Sequence, residues 1–167
     1  MSCTILNLDT ITPQPLPAGL AAPAGTARPY GALVGMIGAQ ISARQLGCNL
    51  VVLPPGQHAF PFHNHRNNEE MFLVLAGEGE IRLGTERHAL RAGDMLACPA
   101  GGPETAHQIR NTGSGDLRYL VFGTRQAPDV IEYPDSGKFR VMTGTPGEGG
   151  FDAVVRSGSE VDYWAGE

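Results

Sequence analysis

The chain has 167 residues, a hydrophobic fraction of 41%, a charged fraction of 17% and a formal net charge of −5. This length suffices for one domain with a sizeable core. The acidic balance argues against a nucleic-acid binder, since no basic stripe is present to displace counterions from phosphates, and no Lys/Arg run could hold the chain to an anionic membrane.

The N-terminal segment MSCTILNLDTITPQP lacks a charged n-region and a continuous apolar stretch, so no signal peptide is expected. No run of eighteen apolar residues occurs, which argues against a transmembrane helix. Three cysteines, Cys3, Cys48 and Cys98, lie far apart and fit neither a disulfide framework nor a CxxC metal site. They predict free thiols in a cytoplasmic protein.

Residues 1–45 are rich in Pro, Gly and Ala and show weak periodicity. They predict an extended arm that wraps the main domain or a neighbouring subunit. Residues 125–167 contain YPDSGK and GTPGEGG and end in polar residues. They predict an extension packed on the outside of the domain rather than a second domain.

Residues 46–124 carry short β-rich runs separated by turn sequences such as PPG, AGEG, AGD and NTGSGD. This pattern is typical of an antiparallel sandwich or barrel, so the predicted fold class is all-β. The predicted strands are Leu50 to Leu53, Met71 to Leu75, Glu80 to Leu83, His88 to Arg91, Met95 to Cys98, Ala106 to Asn111 and Leu117 to Phe122.

The segment GQHAFPFHNHRNNEEMFLVLAG holds the residues with the clearest chemistry. His63 and His65 are two positions apart in an apparent strand, so both imidazoles face the same side. Glu70 opens the next strand, and alternation places Phe72 and Val74 on the same face as Glu70. That face is therefore predicted to line the interior.

A fourth ligand candidate, His107, lies in AHQIRN, where Ile109 shares its side of the strand. Three imidazoles and one carboxylate inside a barrel would hold one divalent transition metal and leave one or two positions for water or substrate. Zn, Mn, Fe and Ni all suit this mixed ligand set. Because neutral His and ionised Glu are the binding forms, affinity should weaken in acid.

These residues resemble the two sequence motifs of the cupin superfamily. The first motif is matched by Gly56, His63, His65, Glu70 and Gly77, with one extra residue before the first histidine. The second is matched by Gly93, Pro99, Gly101, His107 and Asn111, with three extra residues in the loop GPETA. That insertion is expected to lengthen the loop at the barrel mouth.

The resemblance covers residues 46–124 and implies a double-stranded β-helix, or jelly-roll barrel, with the four residues above as metal ligands. The six residues between Glu70 and Gly77 match the family count, so Glu70 is the expected ligand and Glu69 faces the other side. The chain also resembles small stand-alone bacterial cupins, some of which carry a provisional sugar-phosphate isomerase label. Cupins commonly pair, which implies a homodimer here, and the arm could add a strand to a partner's sheet edge.

Two functions remain open from sequence. One is a metal-dependent enzyme on a small polar metabolite, by isomerase, lyase or hydrolase chemistry or, with Fe(II), as a dioxygenase. Glu104 and His58 are its candidate acid–base residues. The other is a non-enzymatic module that binds or senses a small molecule. Arg118 and Tyr119 alternate on a late strand, so only one of them can face inward.

Overall fold

The computed structural model describes residues 4–144 and 149–167. Within them the chain forms thirteen strands and a single four-residue α-helix, which confirms the all-β fold class. The elements are β1 (Gln14–Pro15), β2 (Leu33–Met36), α1 (Ile37–Gln40), β3 (Leu46–Leu53), β4 (Asn64–His65), β5 (Glu70–Ala76), β6 (Glu78–Leu83), β7 (Glu86–Arg91), β8 (Met95–Cys98), β9 (His107–Asn111), β10 (Leu117–Thr124), β11 (Asp129–Tyr133), β12 (Lys138–Met142) and β13 (Asp152–Arg156).

Each of the seven strands predicted between positions 46 and 124 is confirmed. The predicted run Met71 to Leu75, for example, lies within β5, and Leu117 to Phe122 lies within β10. Short apolar or alternating runs bounded by turn residues were sufficient to locate them.

The strands form three antiparallel sheets. The largest has the order β1-β2-β3-β10-β5-β8, the second has the order β13-β12-β11-β4, and the third has the order β7-β6-β9. Non-consecutive neighbours such as β3 and β10 bring together segments that lie far apart in sequence. The candidate site lies where these sheets face one another.

The six-stranded sheet is buried on both faces. On its inner face Val51, Phe72 and Tyr119 belong to the main core cluster. On its outer face Leu50 and Leu120 form a second cluster. The N-terminal arm covers that second cluster with Leu6, Leu8 and Ile11. Burial on both faces explains the uninterrupted apolar run LVVL at the end of β3, since each large aliphatic side chain gains about 1.5–3 kcal/mol when removed from water.

The motif glycine Gly77 joins β5 to β6 and has a φ of +83°, in the left-handed region. A Cβ at this position would lie 2.3 Å from the carbonyl oxygen of Asp116. Both the backbone conformation and the close approach therefore require glycine.

An ionic cluster ties the two terminal segments to the barrel. The Asp135 carboxylate accepts hydrogen bonds from Arg28 of the arm at 2.8 Å and from Arg82 of β6 at 2.9 and 3.0 Å. Asp135 lies in the turn between β11 and β12. The turn after β11 is thereby fixed against both the arm and the barrel.

The predicted extension at residues 125–167 includes residues 145–148, which lie outside the described residues, as does Cys3. Cys48 and Cys98 are free thiols. None of the helices in the described part of the chain is long and apolar enough to cross a lipid bilayer.

Candidate metal centre

Three strands and one loop carry the predicted ligands. His65 ends β4, Glu70 begins β5 and His107 begins β9. His63 lies just before β4 and is held against β9 by two backbone hydrogen bonds with His107, at 2.8 and 3.1 Å. The backbone pairing therefore places His63 beside His107, although they are far apart in sequence.

The three imidazoles converge on one carboxylate oxygen. Glu70 Oε2 lies 2.9 Å from His107 Nε2, 3.6 Å from His65 Nε2 and 3.7 Å from His63 Nε2. Ligand atoms of His63, Glu70 and His107 all lie within 4.8 Å of one another. The structure thus brings together all four residues that the sequence predicted as ligands, in an arrangement that suits one divalent ion.

Two of the histidines are oriented through their second ring nitrogen. His63 Nδ1 lies 2.8 Å from the Pro61 carbonyl oxygen, and His65 Nδ1 lies 2.6 Å from Asp129 Oδ2. Because both partners are acceptors, each Nδ1 carries the proton, so the Nε2 of each neutral ring is the nitrogen left to bind a metal. This is the tautomer that binds a metal.

His107 is held differently. Its Nδ1 is buried and has no hydrogen-bond partner among the described residues, so its ring is positioned by Glu70 and by packing. Its ring centroid lies 5.5 Å from that of Phe72 in an edge-on arrangement.

The electrostatics of the cluster favour the protonation states in which Glu70 and His107 can bind a metal. Burial alone would raise the pKa of Glu70, but hydrogen bonds with His107 and His63 outweigh it and hold the pKa well below its usual range. Burial lowers the pKa of His107, which favours neutral imidazole. For His65, burial is outweighed by the Asp129 hydrogen bond and the Glu70 charge, so its pKa is raised.

The strand opposite Glu70 leaves space for its side chain. Gly123 of β10 is the register partner of Glu70, and a Cβ there would lie 3.5 Å from Glu70 Cγ. On the other neighbouring strand, Cys98 of β8 pairs with Glu70. Burial raises the pKa of the Cys98 thiol to about 12, so it is present as a neutral thiol rather than as a thiolate ligand.

A cavity of about 430 Å³ opens on the cluster. All four candidate ligands line it, together with Leu16 of the N-terminal arm. Its remaining walls come from the inner face of the six-stranded sheet and from β11, β12 and β13. The arm and the strands after residue 124 therefore both help to form the mouth of the site.

The structure does not bring the two candidate acid–base residues to this cavity. Glu104 is exposed on a 3-10 turn, where its carboxylate accepts a hydrogen bond from the Gly102 amide at 2.9 Å. His58 lies beside Tyr30, with ring centroids 5.9 Å apart. Neither Glu104 nor His58 is among the residues that line the cavity. Their proposed roles stay predictions.

Position decides the choice between Arg118 and Tyr119 that the sequence left open, and it agrees with the predicted orientation of Glu69. Tyr119 is 1% exposed and belongs to the core, whereas Arg118 on the same strand is exposed, so Tyr119 faces inward. Glu69 is exposed, and its backbone amide bonds to Thr124 Oγ1 at 3.1 Å. Glu70, not Glu69, faces the histidines.

Sequence reasoning missed Asp129 and Lys138. Asp129 bonds to His65 from β11, and nothing in its local sequence signals that contact. Lys138 lines the cavity from β12 and is the only lysine among the 167 residues, a compositional signal that could have drawn attention to it.

Comparison with known proteins agrees with this architecture. Residues 49–123 match the cupin domain family model. The crystal structure of a sugar phosphate isomerase of the cupin superfamily from Silicibacter pomeroyi superposes with a TM-score of 0.74 at 26% identity, covering 93% of this chain and 94% of that one. A protein from Acidithiobacillus ferrooxidans, named provisionally as a sugar phosphate isomerase, gives a TM-score of 0.70 at 26% identity, covering 80% and 81%.

Among curated sequences, quercetin 2,3-dioxygenase of Bacillus subtilis is 34% identical over 93 residues. That match spans 51% of this chain but 28% of the relative. The chain spans no more than about half the length of the curated relatives it matches. Together with the sheet topology, these matches show that residues 49–123 form a cupin domain and that the barrel is a double-stranded β-helix.

Proposed function

We propose that this cupin is a metal-dependent enzyme that acts on a small polar metabolite with isomerase-like chemistry. One divalent transition metal, Zn, Mn, Fe or Ni, would bind to His63, His65, Glu70 and His107. The observation that carries the proposal is the convergence of three imidazole Nε2 atoms on Glu70 Oε2 at the base of an open cavity.

The donor set fits a divalent ion. Neutral imidazoles and an ionised carboxylate are the forms that coordinate, and the pKa shifts of Glu70 and His107 favour them. A bound ion would replace the present hydrogen bond between His107 Nε2 and Glu70 Oε2. When bound, such an ion acts as a Lewis acid that polarises a carbonyl or stabilises an enediolate oxygen.

The protein's own side chains would perform the remaining tasks. Asp129 holds the His65 ring through its 2.6 Å hydrogen bond, which keeps Nε2 directed at the site. Tyr133 lines the cavity with its ring centroid 6.2 Å from that of His63. Burial raises the pKa of Tyr133, so its hydroxyl stays protonated and can donate a hydrogen bond to a substrate oxygen.

The names of two similar structures support the isomerase class. The similarity to a quercetin 2,3-dioxygenase favours a second candidate, an Fe(II)-dependent dioxygenase. Both reactions need the same ligands and an open coordination position, so the identity of the bound ion and of the substrate separates them.

The test is turnover by metal-stripped protein reconstituted with each of the four ions. Sugar phosphates and oxo acids would be followed by NMR, and dioxygenase substrates by oxygen consumption. We expect turnover that disappears on metal removal and in Glu70→Gln but persists in Glu69→Gln. Thermal stabilisation by a ligand without any turnover would contradict the enzyme and support a binding module.

We also propose a homodimer, in which the N-terminal arm contributes to the subunit contact. In the single chain β1 pairs with β2 at the edge of the six-stranded sheet, which leaves the outer edge of β1 unpaired among the described residues. Sedimentation velocity should give the mass of a dimer, and deletion of residues 1–16 should lower it. A monomeric full-length chain would contradict this proposal.

A further inference from the structure

The cavity at the candidate metal centre has two unlike walls. One is formed mainly by apolar side chains on the inner face of the six-stranded sheet and is here called the apolar wall; Asn49 of β3 also lines the cavity from this face. Register pairing places Val34 beside Val51, Val51 beside Tyr119, and Val121 beside Phe72. All five of these side chains line the cavity. The Tyr119 side chain is 1% exposed and packs against Phe72, with ring centroids 6.0 Å apart.

The facing wall is formed by β11, β12 and β13 and is here called the basic wall. Tyr133 pairs with Lys138, and Ile131 pairs with Arg140, so Lys138 and Arg140 lie two residues apart on the same face of β12. All four residues line the cavity.

Of the two cations on the basic wall, only Lys138 is uncompensated by a partner among the described residues. Arg140 makes two hydrogen bonds to the Asp152 carboxylate, at 2.7 and 2.5 Å, which neutralise its charge locally. Lys138 Nζ lies 5.5 Å from the Tyr133 ring centroid, and within the described residues it forms no ion pair. A lone ammonium that lines the same cavity as a candidate divalent-ion site attracts an anion into that cavity.

We propose that the cavity binds an organic anion with an apolar body, such as an aromatic or branched aliphatic oxo acid. The charged group lies between Lys138 and the metal ligands, and the body lies against the apolar wall. This inference rests on the metal centre of the proposed function, because it uses the bound ion as the second attachment point. It replaces the polar metabolite of that proposal with an anion that has an apolar body.

The walls also select against a competing class of substrate. Several hydroxyl groups of a sugar phosphate would be buried against Val34, Val121 and Phe72, whose side chains offer no donor or acceptor to replace their lost water. The amide of Asn49, beside Val121, could replace only a few of those hydrogen bonds. A phenyl or isopropyl group gains from the same contact. The apolar wall therefore favours an anion with few hydroxyl groups.

The first test is calorimetric titration of zinc-loaded protein with phenylpyruvate, pyruvate and glucose 6-phosphate. Phenylpyruvate and pyruvate share the same oxo-acid group, so their difference reports on the apolar body alone. We expect phenylpyruvate to bind at least roughly tenfold more tightly than pyruvate and than glucose 6-phosphate. Equal or tighter binding of glucose 6-phosphate, or no binding of phenylpyruvate at millimolar concentration, overturns the proposal.

Two variants separate the walls. Lys138→Met keeps the length of the side chain and should weaken phenylpyruvate and pyruvate alike by roughly tenfold. The charge-matched control is Arg91→Met, on the distant strand β7, where the arginine side chain is 85% exposed and affinity should not change.

The apolar wall is tested by Val121→Thr, which is nearly isosteric. It should weaken the binding of phenylpyruvate a few-fold and leave the affinity for pyruvate unchanged. Unchanged affinity in Lys138→Met would contradict the proposed anion position.

The single lysine permits a direct footprint. Acetic anhydride can modify Lys138 and the N-terminal amine, and peptide mass spectrometry distinguishes the two. Phenylpyruvate should slow acetylation of Lys138 and leave the N-terminal amine unaffected; equal rates with and without it would oppose the proposal. Failure of the protein to bind zinc would instead overturn the proposed function, so the two failures are distinguishable.

Discussion

The cupin barrel and the segment that follows it contribute to the same site by different means. Strands β4, β5 and β9 supply the candidate ligands, at spacings that are visible in the sequence. Strands β11 and β12 supply Asp129, which holds one ligand, and Lys138, which faces the cavity. The barrel thus provides the candidate coordinating atoms, and the later strands orient one of them and provide charge.

The largest expected effect is loss of a ligand from the barrel. Glu70→Gln should reduce zinc affinity by more than about a hundredfold, because it removes the charged oxygen on which all three histidines converge. A competition titration with a chelator measures this. Glu69→Gln is the matched control and should bind zinc like the wild type, since Glu69 is exposed. Equal losses in the two variants would show that the wrong carboxylate has been assigned.

Replacing a glycine by alanine should also have different effects on stability in the two regions. Gly77→Ala should lower the free energy of unfolding by about 3 kcal/mol or more, since the left-handed conformation is strained and the Asp116 carbonyl oxygen would clash. Gly137, in the turn before β12, has a φ of +60°, but a Cβ added there would meet nothing within 4 Å. Gly137→Ala should cost only about 1 kcal/mol. Urea denaturation compares them, and similar losses would contradict the clash at Gly77.

Removing the support from β11 should have a smaller effect on the metal. Asp129→Ala should lower zinc affinity by about 10- to 100-fold, because the His65 ring loses the acceptor that fixes its tautomer. Glu132 lies on the same strand but bonds to Asn64 and Arg66 instead. Glu132→Gln should therefore leave zinc affinity unchanged, and a wild-type affinity in Asp129→Ala would show that β11 does not support the site.

The smallest expected effect is the acid sensitivity of the ionic cluster that joins the regions. Burial would raise the pKa of Asp135, but hydrogen bonds from Arg28 and Arg82 lower it below the ordinary value of 3.8. As the pH falls, Asp135 is therefore protonated in the unfolded chain before it is protonated in the folded chain. The ion pairs stabilise the folded chain by about 0.5 kcal/mol above pH 3.8, and this stabilisation is lost as the pH falls through the pKa of the folded state. Urea unfolding of wild type and Asp135→Asn should differ at pH 6 and converge in acid. A difference that persists at the lowest pH would contradict this origin.

The parts of the site that were predictable depend on local patterns. Alternation along β5 identified the inward face that carries Glu70, and motif spacing identified His107. Asp129 was not predictable, because its contact with His65 depends on the pairing of β11 with β4 across 64 positions of sequence. Such a contact is set by topology and leaves no local signal.

Glu104 shows that proximity in sequence does not by itself fix the position of a side chain in space. Glu104 is three residues from His107, but a 3-10 turn at Pro103–Thr105 directs it to the surface. A strand fixes the side on which a residue lies by simple alternation, whereas an inserted loop does not. This is why the ligands on strands could be placed from sequence and the residue on the loop could not.

The most direct test of the central claim is the metal content of the protein purified without a metal-affinity tag. Inductively coupled plasma mass spectrometry should find close to one equivalent of a divalent transition metal per wild-type chain. The His107→Ala variant, folded by circular dichroism, should retain little of it. Wild-type protein that is fully folded, free of metal and unable to take up any of the four ions would contradict the assignment of the site.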